Sequence, residues 1–529
     1  MRIRKMTSLI ASASLGLLVA CTSHHSVQAK KLFEFRGSNS LTELQAAVGV
    51  APYLNALVSD PANEDIRPVT VDTSLVSPDT KSLTVSLNEK DSVTFQLRRA
   101  DPPAPGMVGW VGDVSTDRRK KFTSTAEGDF DKDWISLVLH EGNLIGSINF
   151  DGMRYELQPV GRGQHVLVKV NESKLPPEAE PLLENSTSAP DTTSGYVPKS
   201  QRSIIRVMFV TTEESRARYA DYKGTLANAL QSANQYMINS KVDITYELAG
   251  YYDGAISEQG KTFKEMVYAL RQTDQPFGKA VGERRDALRA HLVSILLVNP
   301  EYCGWASITS NKSNAFSGIA CFGSLGHELG HNLGADHNWH EGDNERNPPY
   351  MFGYRYQAGT PRFSTQMSYA CSPACPRIPY HSNPRVTYEG IPVGTAEHHD
   401  VARRFNERRE TVEGFYPPVL EFILYDGSNF NGRSCQFVQG IGSSTDVRAQ
   451  CGEEWGTIVS SAKVIGMAPG VSVKFTHDKH AYESFLSKTY SGILPVYQFG
   501  DYPDVDVGIE WSSGGGSINN MVDGISSSR

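Results

Sequence analysis

Five residues within one short run carry the chemistry of this chain: His327, Glu328, His331, Gly334 and His337. His327 and His331 stand four positions apart, which on a helix places both imidazoles on one face, within reach of a single ion. Glu328 sits beside them, where a carboxylate can take a proton from an activated water. Gly334 tolerates positive φ and lets the chain turn back sharply, so that His337 can join as a third ligand. Three neutral imidazoles suit zinc (Zn2+). They leave one coordination position open, as a catalytic site requires and a structural site does not. A helix without such a task would gain nothing from Gly326 and Gly330, each costing about 1 kcal/mol relative to alanine.

The order H-E-x-x-H-x-x-G-x-x-H resembles the signature of the metzincin metallopeptidases. Around it, Cys303-Gly304-Trp305-Ala306, Cys321, Gly353-Tyr354, Gln366-Met367-Ser368-Tyr369 and the run Arg377 to Pro384 look like the bacterial reprolysin-like members of that clan. The likeness covers about residues 203–416. It implies an endopeptidase in which His327, His331 and His337 hold zinc. Glu328 would serve as general base and then carry the proton to the leaving amine. Met367 is implied as the Met-turn methionine beneath the ligands; Met351, the competing position, lacks a following Ser-Tyr. Tyr369 is implied as a contact to the metal or the transition-state oxyanion, the alternative being a ring packed under the site. Asn338 follows the third histidine where reprolysins usually carry aspartate, which leaves the subfamily open. His340, His381, His398 and His399 are expected at the surface. A rival reading is a surface-exposed zinc-containing adhesion protein with little or no proteolysis; the intact Glu328 argues against it.

These residues need elements to position them. Ile204 to Val210 reads as a buried strand, and Leu226, Leu230, Ala233 and Met237 recur at helical spacing. Asp243 to Tyr251 and the almost wholly apolar His291 to Val298 read as further strands, the latter central. This order predicts an α/β sheet ahead of the metal helix and an irregular region after Gly334. Before it, Ser82–Leu87, Ser92–Leu97 and Trp134–Leu139 alternate as strands do. They suggest a β-rich prodomain over 21–171, the alternative being a permanent N-terminal binding domain. The stretch from Leu144 to Leu182 resembles prodomains of bacterial metzincins, many of which stay latent through a zinc-binding prodomain cysteine. Here the only cysteine before Cys303 is Cys21, so latency must rest on another ligand or on steric cover. Residues 172–202, rich in Pro, Ser, Thr and Glu, read as an extended or disordered linker, with maturation expected near Lys199 to Arg206. Beyond Tyr416-Pro417-Pro418, residues 419–529 carry no catalytic motif. Phe422 to Ser434 resembles the Tyr-x4-Phe-x-Gly hairpin of βγ-crystallin Greek keys, and Val471 to Phe475 would open a second key. Calcium (Ca2+) is a cofactor that this resemblance raises. Ser460-Ser461 fits its pattern, but Gly456 and Thr457 depart from it. The expected class is thus multidomain α+β with a C-terminal β-sandwich.

The ends and the cysteines set the compartment. Arg2, Arg4 and Lys5 precede a short apolar run ending Leu18-Val19-Ala20-Cys21, which looks like a signal peptide over 1–20 with Cys21 lipidated after cleavage. Val27-Gln28-Ala29 is a competing site for ordinary signal peptidase. Either way the chain is expected to be exported, as a bacterial outer-membrane lipoprotein or a secreted protein, touching membrane only through a lipid on Cys21. Without Cys21 the seven cysteines leave six, an even number that suggests disulfides. Proximity favours Cys303–Cys321, Cys371–Cys375 and Cys435–Cys451 among fifteen pairings. The net charge of −8 comes with no basic run, so nucleic acid is not an expected partner. A protein or peptide substrate and a monomeric chain are.

Overall fold

The computed structural model describes residues 31–37, 40–88, 92–114, 130–182, 200–340, 348–427, 430–465, 472–477, 486–491, 500–502 and 524–528. Cys21 and its leader lie outside the described residues.

The N-terminal strands are β1 (Phe33–Phe35), β2 (Asn63–Val71), β3 (Ser82–Ser86), β4 (Ser92–Arg99), β5 (Val108–Val114), β6 (Trp134–His140), β7 (Asn143–Phe150), β8 (Met153–Pro159) and β9 (His165–Val170). They form one antiparallel sheet in the order β1-β2-β9-β8-β7-β6-β5-β4-β3. Its two ends approach each other where Leu32 N donates to Thr84 O at 2.8 Å. The alternation read in the sequence is the cause. Ile135 and Leu137 of β6 face the sheet's own core with Phe95, Trp110 and Leu157, while Ser136 and Val138 face outward. That outer face is not wet, because a long helix lies on it.

This helix, Tyr222–Asn239, is capped by Asp221, whose side chain accepts from Gly224 N. Leu226, Leu230, Ala233 and Met237 bury its expected face against the next sheet. Each buried Leu or Met contributes about 1.5–3 kcal/mol. Its polar side meets the N-terminal sheet: Ser136 Oγ donates to Asn228 Oδ1 at 2.7 Å, and Gln231 Nε2 donates to Ser136 Oγ at 2.8 Å.

The next sheet runs β11-β10-β12-β14-β13, from β10 (Ser203–Thr211), β11 (Ile244–Tyr252), β12 (Leu292–Leu296), β13 (Gly304–Ala306) and β14 (Phe316–Ile319). All pairs are parallel except the last, in which the edge strand β13 runs antiparallel to β14. β12 is central, as its apolar run predicts. Along β10, Ile205, Val207 and Phe209 turn to the long helix, and Met208 and Val210 turn to the opposite face, covered by Phe263, Met266 and Val281 from two further helices. Ser203 to Arg206, within the expected maturation stretch, already belong to β10.

After Gly334 the strands are two or three residues long up to Asn383–Tyr388, matching the irregular region expected there. The C-terminal region forms two four-stranded sheets around Leu420, Phe422, Leu424, Val464, Val473 and Phe475, a β-sandwich. Cys303–Cys321, Cys371–Cys375 and Cys435–Cys451 are disulfides, the pairs that proximity favours.

In the stretch read as an extended or disordered linker, Glu172–Lys174 is a single 3-10 turn, and Glu178 and Leu182 form bridges to Gly304 and Ser307. Residues 183–199 of that stretch lie outside the described residues. His381 is not at the surface. It is fully buried, because its ring is packed between those of Phe405 at 4.8 Å and Tyr236 at 6.3 Å. His398 and His399 are half-buried and His340 is exposed.

Candidate metal centre and catalytic site

The helix Leu325–Asn332 is buried along its whole length. Its two glycines explain how. A Cβ on Gly326 would stand 3.0 Å from the Tyr236 ring, and one on Gly330 would stand 2.4 Å from Met367 Sδ. Each glycine permits a close approach that alanine would block. The helix ends at Gly334, φ +97°, whose carbonyl accepts from the buried Arg404 Nε at 3.3 Å. The chain then pairs as Asp336–Asn338 with Phe352–Gly353, which returns His337 to the helix.

The three Nε2 atoms of His327, His331 and His337 lie 2.9–3.0 Å from one another. Nδ1 of His327 faces Gln366 O and Nδ1 of His331 faces Ala335 O, both at 2.8 Å. A carbonyl only accepts, so these Nδ1 atoms carry the protons and the Nε2 atoms present lone pairs. Lone pairs converging in a buried place repel unless a cation sits among them. The donor set therefore fits a divalent metal held by His327, His331 and His337. Burial pushes His327 and His331 down to about 3, so both stay neutral and able to bind. Burial, then the neighbouring histidines and Arg377, drives His337 further the same way.

Glu328 points to the edge strand: a Cβ on Gly304 would meet its Oε1 at 2.3 Å. Neither Glu328 oxygen has a hydrogen-bond donor. Burial first, then the charge of Glu178 and contact with it, holds the Glu328 carboxyl well above the usual range. Met367 is fully buried among Leu329, Leu333 and Phe405 of the core. Met351, the competing position, packs elsewhere with Ile308 and Phe352. Tyr369 lies with its ring centroid 4.2 Å from that of His337, and its backbone N donates to Asn338 Oδ1 at 2.9 Å. Asn338 thus orients the residue next to the site. Burial, then Glu180, which accepts from the Tyr369 hydroxyl, keeps that phenol protonated.

Two residues at the site are absent from the sequence reading. Glu178 groups with His327 and Glu328, one oxygen or nitrogen of each lying within 4.8 Å of the others. Glu180 Oε2 lies 3.7 Å from His337 Nδ1. The signal was present as two carboxylates at i and i+2 inside the acidic linker, but composition alone gave no reason to bring them here.

Three histidines with an adjacent buried carboxylate, beside the edge strand of an α/β sheet, make a site suited to metal-assisted hydrolysis. No protein-family model matches the chain. Peptidyl-Asp metalloendopeptidases from Stenotrophomonas maltophilia strain R551-3 and Xanthomonas campestris pv. campestris are 30% and 29% identical to it. The first alignment covers 76% of this chain and 96% of the relative, the second 78% and 100%. The chain belongs to this peptidyl-Asp metalloendopeptidase family. Among solved structures, metalloproteinase-II from Bacteroides fragilis is similar at 10% identity and TM-score 0.34, over 57% of this chain and 87% of that one. A βγ-crystallin from Ciona intestinalis is similar at 17% identity and TM-score 0.13, over 20% and 96%. Likenesses this slight carry no argument.

Proposed function

We propose that the chain is an exported zinc endopeptidase of the metzincin type that cleaves beside acidic residues. The observation that carries the reading is the convergence of three Nε2 lone pairs next to Glu328. Imidazole donors with one open position favour zinc. Bound there, the ion would supply Lewis acidity that activates water and polarises a carbonyl. Glu328 takes a proton from the attacking water and delivers it to the leaving amine. The Tyr369 hydroxyl, once free of Glu180, donates a hydrogen bond to the developing oxyanion. Met367, packed on Gly330, is the floor that a Met-turn supplies. Preference for acidic side chains is supported by the names of the relatives and by Arg377, whose positive charge bears on His327 and His337. The three disulfides support an oxidising compartment and hence export. In the C-terminal sandwich, the Tyr425–Phe430 ring contact at 5.9 Å and Gly432 at φ +87° support a βγ-crystallin-like hairpin.

Glu328→Gln tests the reading. Peptide hydrolysis should fall by at least 10³-fold while one metal ion per chain is retained. A library of peptides with one acidic position should be cut next to it, and Arg377→Ala should weaken that preference. A Glu328→Gln enzyme that keeps its activity would refute the assignment.

A further inference from the structure

We propose that Arg355 and Arg362 form a second subsite, beyond Arg377, that takes another acidic side chain of the substrate, so that acidic runs are favoured over isolated acidic residues. The proposal rests on the reading of Arg377 as the group that attracts the first acidic side chain, and it extends that reading outward from the metal centre.

Backbone pairing puts the three arginines on one face of a small sheet. The short strands Arg355–Tyr356 and Phe363–Ser364 are antiparallel, with Arg355 opposite Ser364 and Tyr356 opposite Phe363. On its other side Ser364 bridges Arg377 in parallel. There Ser364 N donates to Pro376 O at 3.0 Å and Ile378 N donates to Ser364 O at 2.9 Å. Directly paired residues share a face, and so do residues two apart along a strand. Arg355 and Arg377 therefore lie on one face, together with Arg362, two positions before Ser364. The opposite face carries Tyr356, Phe363 and Ile378, which pack into an apolar cluster. That burial fixes which way the arginines turn.

The chain that leaves the metal centre runs along the arginine face. Gln366 O accepts from His327 Nδ1, and the Tyr369 ring lies beside that of His337. From there to the Cys371–Cys375 disulfide, each arginine is given one carbonyl. Arg377 Nη2 donates to Ser368 O at 3.2 Å, Arg355 Nη1 to Ala370 O at 3.3 Å and Arg362 Nη2 to Pro373 O at 2.7 Å. Along that segment the contacts run from Arg377, whose charge reaches His327 and His337, to Arg355 and then to Arg362.

The three are half-buried, and their partners are neutral: the carbonyls, and Gln357 Oε1 at 3.4 Å from Arg362 Nη2. Among the described residues no carboxylate pairs with any of them. Elsewhere the chain pairs such arginines, as Arg98 with Asp113 and Arg154 with Glu156. Three cations on one face repel, and a visiting carboxylate supplies the missing countercharge. A guanidinium has five N–H donors in a fixed fork, so an arginine steadied by one carbonyl still has donors for a bidentate grip on a carboxylate. Arg355 and Arg377 stand on either side of Ser364, two strand spacings or about 9.5 Å apart. Side chains two residues apart on an extended peptide are about 7 Å apart on one side, a gap that long arginine side chains close. Neighbouring acidic residues turn to opposite sides and cannot reach both subsites. The favoured pattern is thus acidic, any residue, acidic.

The test compares two peptides that differ at one position, Asp-Ala-Asp against Asp-Ala-Asn, with the first Asp beside the cleaved bond. The metal-loaded, active enzyme should cut the first with at least tenfold higher kcat/KM, mostly through KM, and the gap should narrow at high ionic strength. The double variant Arg355→Gln/Arg362→Gln, shown to be folded by circular dichroism, should bring the ratio to within twofold. A merely structural loss would slow both peptides alike, so an undiminished ratio in this variant would overturn the proposal. A wild-type ratio within twofold would overturn it without any variant. Fluorescent forms of both peptides, bound to metal-loaded Glu328→Gln, should show the same tenfold gap in Kd, and equal values would also count against it. If that gap is present but the wild-type protein cuts no peptide, the subsite stands and the peptidase reading fails.

Discussion

Gly304→Ala isolates the placement of Glu328 from everything else at the site. The added Cβ would stand 2.3 Å from Glu328 Oε1, 2.6 Å from Cδ and 2.7 Å from Cγ. Ordinary contact begins at 3.4 Å, so the carboxylate must retreat by about 1.1 Å, the difference between 3.4 and 2.3 Å. The backbone of β13 cannot yield instead, because it is paired to β14 and tied by the Cys303–Cys321 disulfide. A displacement of about 1 Å in a catalytic group costs roughly 10²-fold in rate, or about 2.7 kcal/mol of transition-state stabilisation. The three histidines do not touch Gly304 in this way, so metal content should not change. The assay is kcat/KM on a peptide substrate for wild type and Gly304→Ala after identical activation, with metal per chain and Tm measured on the same samples. A folded, metal-loaded variant within threefold of wild type would refute the claim that Glu328 must sit against β13.

Replacing Cys303 and Cys321 with serine opens a loop spanning 18 residues; it should cost about 3 kcal/mol and roughly 6–12 °C in Tm by differential scanning calorimetry, and an unchanged Tm would contradict this. Gly330→Ala forces a Cβ to within 2.4 Å of Met367 Sδ and should destabilise by about 1–3 kcal/mol. Adding Met367→Ala should give a total smaller than the sum of the single losses in urea titrations; strict additivity would break the argument. His291 accepts from Arg206 N at 2.7 Å through Nδ1 and donates through Nε2 to Tyr416 O at 2.9 Å. Burial pushes its pKa down to about 4. Its folded pKa lies below the unfolded value near 6.5, so the unfolded chain binds the extra proton, and stability falls as pH drops from 6.5 toward 4. The loss reaches about 2 kcal/mol at pH 5. His291→Gln should lose correspondingly less between pH 7 and pH 5 in urea midpoints, and equal losses in the two proteins would count against it.

The metal centre was legible because its geometry is local: His327 and His331 are one helical turn apart, and Gly334 marks the reversal that returns His337. Three strands of each sheet, β3, β4 and β6 in the first and β10, β11 and β12 in the second, were legible for a similar reason, since alternation and apolar runs are read a few residues at a time. What escaped depended on contacts across the chain. The burial of His381 comes from Phe405, 24 positions later, and Tyr236, 145 positions earlier, and neither is a local cue. Glu178 and Glu180 looked like solvated linker charges, because an acidic, proline-flanked stretch has no periodicity of its own. Their place is set by β13, which supplies the pairing partner, and no pattern inside the stretch encodes that. The polar face of the Tyr222–Asn239 helix likewise finds its partners on β6, some ninety positions earlier.

β13 is only three residues long, and its outer edge, paired here with Glu178 and Leu182, offers main-chain groups rather than side chains. A guest held there must already be stretched out, and it is gripped without regard to its sequence. Helices and folded sheets cannot present such a segment, so the enzyme should nick floppy loops and unfolded chains and spare compact ones. Choice among those floppy segments is then left to whatever side-chain pockets flank the edge.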